Sequence, residues 1–112
     1  MPGWLYEKKN TSTMALALLP QQQITLVAHR FRLLGDPSRL ALLNLLHVHG
    51  EMNVQDLCAA ADQQQANVSK HLRLLLDEGL VARRQEGPFA FYSIADPMLA
   101  ALCLLVCASI ES

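Results

Sequence analysis

The apolar positions of this chain change period along its length, and each change marks an element. From Met14 to Leu34 the pattern is helical, either straight or bent at Pro20. Ile24, Val27, Phe31 and Leu34 recur at helical spacing and form one apolar stripe, which Gly35 ends. Residues 1–13, with Lys8, Lys9 and a run of small polar side chains, carry no such pattern and are expected to be flexible. Asp36 and Pro37 then open a second helix, because Asp is a good N-cap and proline suits the first helical position; Gly50 follows its end. Leu40, Leu43 and Leu45 or Leu46 are its expected buried face. A short helix follows near residues 54–61. A longer one runs from Gln64 or Gln65 to Glu78, with Val68, Leu72, Leu75 and Leu76 on one stripe and Ser69, Lys70 and Arg73 off it. Gly79 supplies the stop.

After Gly79 the composition becomes that of strands. Residues 80–84 and 89–94 flank the turn Glu86-Gly87-Pro88 and predict a β-hairpin. Asp96-Pro97 repeats the cap-plus-proline signal and opens a last helix to about Ile110. The expected fold is mainly α with a small β-hairpin wing, in the order α-α-α-α-β-β-α. A helix-turn-helix followed by a hairpin is a winged helix.

Composition narrows the class. A length of 112 residues suits one domain, expected over residues 14–112. A hydrophobic share of 52% with 17% charged residues excludes disorder. The longest apolar run, residues 97–110, falls short of the roughly 18 residues that a membrane span needs, and no secretory pattern precedes it. Three cysteines are too few and too odd for a secreted disulfide framework. The expectation is a cytoplasmic protein with free thiols and no membrane partner.

A net charge of -1 gives no global case for nucleic acid. The local case is better. Residues 63–84 hold Lys70, Arg73, Arg83 and Arg84 against Asp77 and Glu78. A recognition helix sets its N-terminal half in the major groove, where amides and hydroxyls reach base edges. Gln63, Gln64, Gln65, Asn67 and Ser69 are side chains of that kind, while Lys70 and Arg73 suit phosphate contacts that position without specifying. Arg83 and Arg84 lead into the wing, beside the flanking groove. His71 either touches phosphate or packs against the preceding helix. The competing readings are an ordinary solvated helix face and a winged helix used only for protein contact; the gathered cations speak against both. An enzyme is excluded by the apolar setting of the cysteines and by the lack of a phosphate loop or zinc-protease motif.

The stretches 33-LLGDPSRLALLNLL-46, 56-DLCAAADQQQANVSKHLRLLLDEGLV-81 and 83-RRQEGPFAFYSI-94 resemble the ArsR/SmtB family of small winged-helix repressors. The resemblance covers roughly residues 24–110. It implies a homodimer on double-stranded operator DNA that lets go when a metal ion, metalloid or oxidant reaches a sensor site. The family often has Ser or Thr near Gln64 as a helix cap. Gln caps poorly, so the helix start shifts or Asp62 caps instead. Across the expected dimer, Leu16, Leu18 and Leu19 are to be buried with the terminal helix.

The resemblance also says where a sensor is missing. Asn53 and Gln55 stand at two cysteine positions of the family's arsenic-type site, leaving Cys58. Amides are poor ligands for soft metals. The zinc-type site uses Asp and His on the last helix; Asp96 is present, but residues 97–112 hold no histidine. Cys103 and Cys107 remain. An i, i+4 pair has Cβ atoms about 5–6 Å apart, against about 3.5–4.5 Å for a disulfide. A soft ion, trivalent arsenic or a sulfur chain would bridge the pair with less strain than a direct bond. The inducer is thus expected to be a soft metal ion, arsenite or a thiol-reactive oxidant or persulfide. Against this stands plain packing, because cysteine fills cores like a small apolar residue. His47 and His49, at a helix end, suit the last carbonyls as well as a metal.

Overall fold

The computed structural model describes residues 19–111. The expectations for residues 1–13, for a helix start at Met14 and for Leu16 and Leu18 lie outside that range. The chain divides between Leu33 and Leu34 into two compact units. The first carries α1 (Gln21–Leu34). Within the described residues this helix starts after Pro20 and does not bend there. The Pro20 carbonyl accepts the Ile24 N–H at 3.0 Å. A proline ring clashes with the carbonyl four residues back, so a helix begins after it more readily than it runs through. Ile24, Val27 and Phe31 form an exposed stripe on α1.

The second unit holds α2 (Pro37–His49), β1 (Glu51–Asn53), α3 (Val54–Ala61), α4 (Gln65–Asp77), β2 (Val81–Glu86), β3 (Phe89–Ile94) and α5 (Met98–Glu111). The expected order is met except for β1. This third strand pairs antiparallel with β3, Met52 opposite Tyr92, and gives a sheet of order β1-β3-β2. Three residues are too few to show a period of two, and the partner strand comes some forty positions later.

Local chemistry explains the ends of the helices. Asp36 caps α2, its Oδ1 accepting from the N–H groups of Ser38 at 2.8 Å and Arg39 at 3.2 Å. Asn53 caps α3 by accepting from Asp56 N–H at 2.8 Å. Asp62 does not cap α4. It closes α3 instead, in left-handed conformation at φ +53°. Gln64 holds the N-cap position of α4 with no side-chain hydrogen bond. At the other end the Gly79 N–H donates to Leu76 and the Leu80 N–H to Leu75, both at 3.0 Å. That pair is a Schellman motif, and it needs the positive φ of +72° that Gly79 adopts. It also drops Leu80 into the core beside Leu75 as the chain turns toward the wing.

Helices α2, α3 and α4 pack around Leu42, Leu46, Leu57, Val68, Leu72, Leu75 and Leu80, all fully buried. The α2 face is corrected in one place: Leu42 lies inside, whereas Leu40 is 38% exposed. With leucine at 40, 42, 43, 45 and 46, periodicity offers no polar contrast from which to orient the helix. The Leu76 position is only half buried, and His71 takes its place on the interior stripe of α4.

Candidate functional site

Helix α4 has two opposite faces. At about 100° per residue, Val68, His71, Leu72 and Leu75 point one way and are buried. Ala66, Ser69, Lys70 and Arg73 recur at i, i+3, i+4 and i+7 on the other side, and all are exposed. Gln64 and Gln65 extend this face at its N-terminal end. The first turn, left without a side-chain cap, presents its amide protons and the positive end of the helix dipole there. Ala66 sits in the middle of the outward face. Sequence reasoning passed over it because it looked only for polar side chains; the i, i+3, i+4 spacing to Ser69 and Lys70 was the available signal. A methyl group there suits contact with a thymine methyl.

Three of the expected contact residues are tied into the scaffold. Gln63 donates through Nε2 to the Ser38 carbonyl at 3.3 Å and accepts from Asn67 Nδ2 at 2.8 Å. The pair thus fixes the start of α4 against the start of α2. His71 is 6% exposed and leaves the groove-facing set altogether. Its Nδ1 lies 3.4 Å from Arg39 Nη1. A guanidinium only donates, so Nδ1 must accept and the ring must be neutral. Arg39 in turn faces the Asp36 carboxylate at 3.7 Å. The Arg39 N–H holds the Asp36 carboxyl below its usual range, with smaller help from the Arg39 charge, the Ser38 N–H and His71.

Burial pushes His71 below the ordinary imidazole value; Arg39 and Lys70 push the same way, while Asp36 opposes them. Its folded-state pKa is therefore lower than its unfolded one. Between the two values the unfolded chain binds more protons, so stability falls as pH drops through about 6.5. The expected result is a loss of unfolding free energy between about pH 7 and pH 5 in urea titrations. His71→Gln, which keeps an acceptor without a titrating proton, should flatten that part of the profile. An unchanged slope in the variant would move the effect to another residue.

On the wing, Arg83 and Arg84 point to opposite faces of β2. Arg83 donates to Gln85 Oε1 at 2.7 Å on an exposed surface. Arg84 is a clip. It donates to Glu51 at 2.7 and 3.1 Å and to Glu86 at 2.5 Å, and its guanidinium lies 4.9 Å over the centre of the Phe91 ring. These bonds hold Glu51 below, and Arg84 above, their usual values. Arg84 thus fastens β1 to the hairpin, and its charge is already matched.

The thiols divide as well. Cys58 is half buried on α3, while Cys103 and Cys107 are exposed on α5. The latter two line a surface cleft of about 160 Å³ between α2, the end of β3 and α5. Leu40, Leu43, Ile94 and Leu99 give it apolar walls, and His47 and Asn44 are its other polar neighbours. Among the described residues, no three His, Cys, Asp or Glu side chains are grouped to hold a metal ion, and no helix is long and apolar enough to cross a membrane.

Residues 36–83, from the cap of α2 to the wing, match the family model described as bacterial regulatory protein, arsR family. The probable mercury resistance operon repressor of Streptomyces lividans is 37% identical over 83% of this chain and 74% of that one. The chain belongs to the ArsR/SmtB family. The arsenical resistance operon repressor of Escherichia coli is 42% identical over 58% of this chain, which spans only 56% of that relative. Among solved structures, a homodimeric winged helix-turn-helix DNA-binding domain from Mycobacterium bovis superposes with a TM-score of 0.70 at 30% identity, over 83% of this chain and 88% of that one.

Membership makes this ArsR/SmtB chain a winged helix-turn-helix protein of a DNA-binding regulatory family, not of an enzyme family, and several of its relatives carry the names of metal or metalloid resistance repressors. Two of the positions weighed above as sensor ligands are helix caps here. Asn53 caps α3, and Asp96 accepts the Met98 N–H at 2.9 Å at the start of α5.

Proposed function

We propose that this chain is a cytoplasmic, homodimeric repressor that binds operator DNA through α4 and releases it when a thiophilic inducer reacts at Cys103 and Cys107. The observation that carries the DNA reading is the outward face of α4. Gln64, Gln65, Ala66 and Ser69 stand ready for base edges, with Lys70 and Arg73 for phosphates. Arg83 is the wing cation for the flanking groove. Gln63, Asn67, His71 and Arg84 act from behind, by setting the helix and the wing.

The dimer reading rests on α5. This helix is apolar on every side, yet only Leu99 is buried in the chain. Leu105, Val106 and Ile110 are 71%, 50% and 77% exposed. A helix that is hydrophobic all round belongs inside an assembly. The homodimeric relative supports a second copy as the cover.

For the sensor, Cys103 and Cys107 share one face of α5 at i, i+4 and are exposed in the single chain, whereas half-buried Cys58 suits packing. The reading in which all three cysteines only fill space predicts no release by thiol reagents. The test is an anisotropy titration on operator DNA with and without such reagents. Cys103→Ser with Cys107→Ser is expected to keep DNA affinity within about twofold, since neither side chain is on α4, and to abolish release. Full induction in the double variant by every reagent that induces the parent would refute the sensor.

A further inference from the structure

We propose that Ala66 reads a C5-methyl group in the major groove, so that each operator half-site presents a methylated pyrimidine, thymine or 5-methylcytosine, to the first turn of α4. This deepens the DNA reading above and rests on it. The first argument is direction. Ala66 and Leu75 are nine positions apart, which at about 100° each is two and a half turns. Leu75 is fully buried, so Ala66 points straight out from the core. Arg73 and Ser69 lie about 20° and 60° to one side of it and Lys70 about 40° to the other. All are exposed. The outermost line of the helix thus carries, at its N-terminal end, the shortest side chain of the set.

The second argument is what a methyl group tolerates. A long polar side chain holds the helix backbone away from the base edges, whereas alanine lets it close on them. A hydrogen-bonding edge pressed against Ala66 would lose its water and gain no partner. The surface opposite it must therefore be apolar. Of the groups that base pairs show in the major groove, the C5-methyl of thymine is the apolar one. 5-Methylcytosine carries the same group at the same ring position, so Ala66 reads the methyl and not the base that bears it.

The third argument is fixation. A contact between methyl groups is short-ranged, and a gap of about 0.5–1 Å forfeits a quarter to a half of the attraction. The first turn of α4 is held against that. Gln63 donates to the Ser38 carbonyl at 3.3 Å and accepts from Asn67 at 2.8 Å. These two residues flank Ala66 and set its Cβ relative to α2. Against the proposal stands helix propensity: alanine is the best helix former, and an exposed one needs no ligand. That reading predicts no effect of methyl groups on the DNA.

The experiment uses the intact protein and the duplex that it enriches from a random-sequence library. Each pyrimidine, changed in both half-sites together, is made in four versions: thymine or uracil opposite adenine, and 5-methylcytosine or cytosine opposite guanine. Within each pair only a methyl group differs. At one position per half-site, anisotropy titration should show thymine binding about fifteenfold tighter than uracil. That is about fourfold per half-site, the order expected for burying one methyl group. 5-Methylcytosine should exceed cytosine by the same factor. Ala66→Gly should bring both ratios to about one. Glycine weakens a helix, so Ala66→Ser serves as the second variant; it keeps the turn, puts a hydroxyl against the methyl and should erase both ratios as well. Ratios near one at every pyrimidine in the parent would overturn the proposal. So would full ratios retained in both variants, which would give the methyl to another side chain. A protein that enriches no duplex refutes the DNA reading and this inference with it. One that enriches a duplex and ignores its methyl groups refutes this inference alone.

Discussion

Replacing Lys70 and Arg73 by alanine together is expected to cost about three orders of magnitude in operator affinity at roughly 0.15 M salt. Both side chains are exposed on the face of α4 opposite the buried stripe. The core residues Val68, Leu72 and Leu75 are untouched, so the fold should remain and circular dichroism should be unchanged. The size of the effect follows from counterion release. Two cations per protomer make four per dimer, and each phosphate contact contributes about 0.9 to the slope of log affinity against log salt. The slope should therefore become shallower by about 3.6, and the affinity gap should close as salt approaches about 1 M. Arg84→Ala is the contrasting case. Its guanidinium is already matched by Glu51 and Glu86, so its loss should loosen the wing and change the slope far less. An anisotropy titration over a salt series checks both. A double variant with parental affinity and slope would remove α4 from the DNA interface.

The ends of the helices were legible because each is made by chemistry that a single residue type performs. Asp36 before Pro37, Gly79 after the leucine stripe and Asp96 before Pro97 do in the structure what their side chains or their lack of one allow. Faces were legible only where polar and apolar residues alternate. On α4 they do, and the stripe through Val68, Leu72 and Leu75 is buried. On α2 leucines stand all around, and Leu42 was missed. His71 shows a further limit. A histidine beside Lys70 in a basic segment reads as a contact, but its position one turn after Val68 turns it inward, where only a partner from another helix, Arg39, makes burial tolerable. β1 and the thiol cleft are also nonlocal. Each joins segments some forty or more positions apart, and neither has a period or a motif of its own.

Leu105→Glu is expected to turn the dimer into a monomer and to remove most of the operator affinity with it. Leu105 is 71% exposed in the single chain and projects from the side of α5 turned away from the cleft. The substitution should therefore cost the fold of one chain little. In the dimer it would place a carboxylate in an apolar contact from each copy. Burying an unpaired charge costs several kcal/mol, and about 1.4 kcal/mol corresponds to a factor of ten. The dissociation constant of the dimer should thus rise by several orders of magnitude. A monomer presents one α4 to one half-site and keeps only half of the phosphate contacts, so its salt slope should fall to about half of the parental one. Light scattering after gel filtration reads the mass, and the operator titration reads the slope. The thiols serve as the internal control: Cys103 and Cys107 should still react with iodoacetamide in the variant, because both are exposed in the single chain. A variant that stays dimeric would place the interface elsewhere and leave the apolar outer side of α5 without its cover. One that becomes monomeric yet binds operator as the parent does would separate dimerisation from DNA recognition.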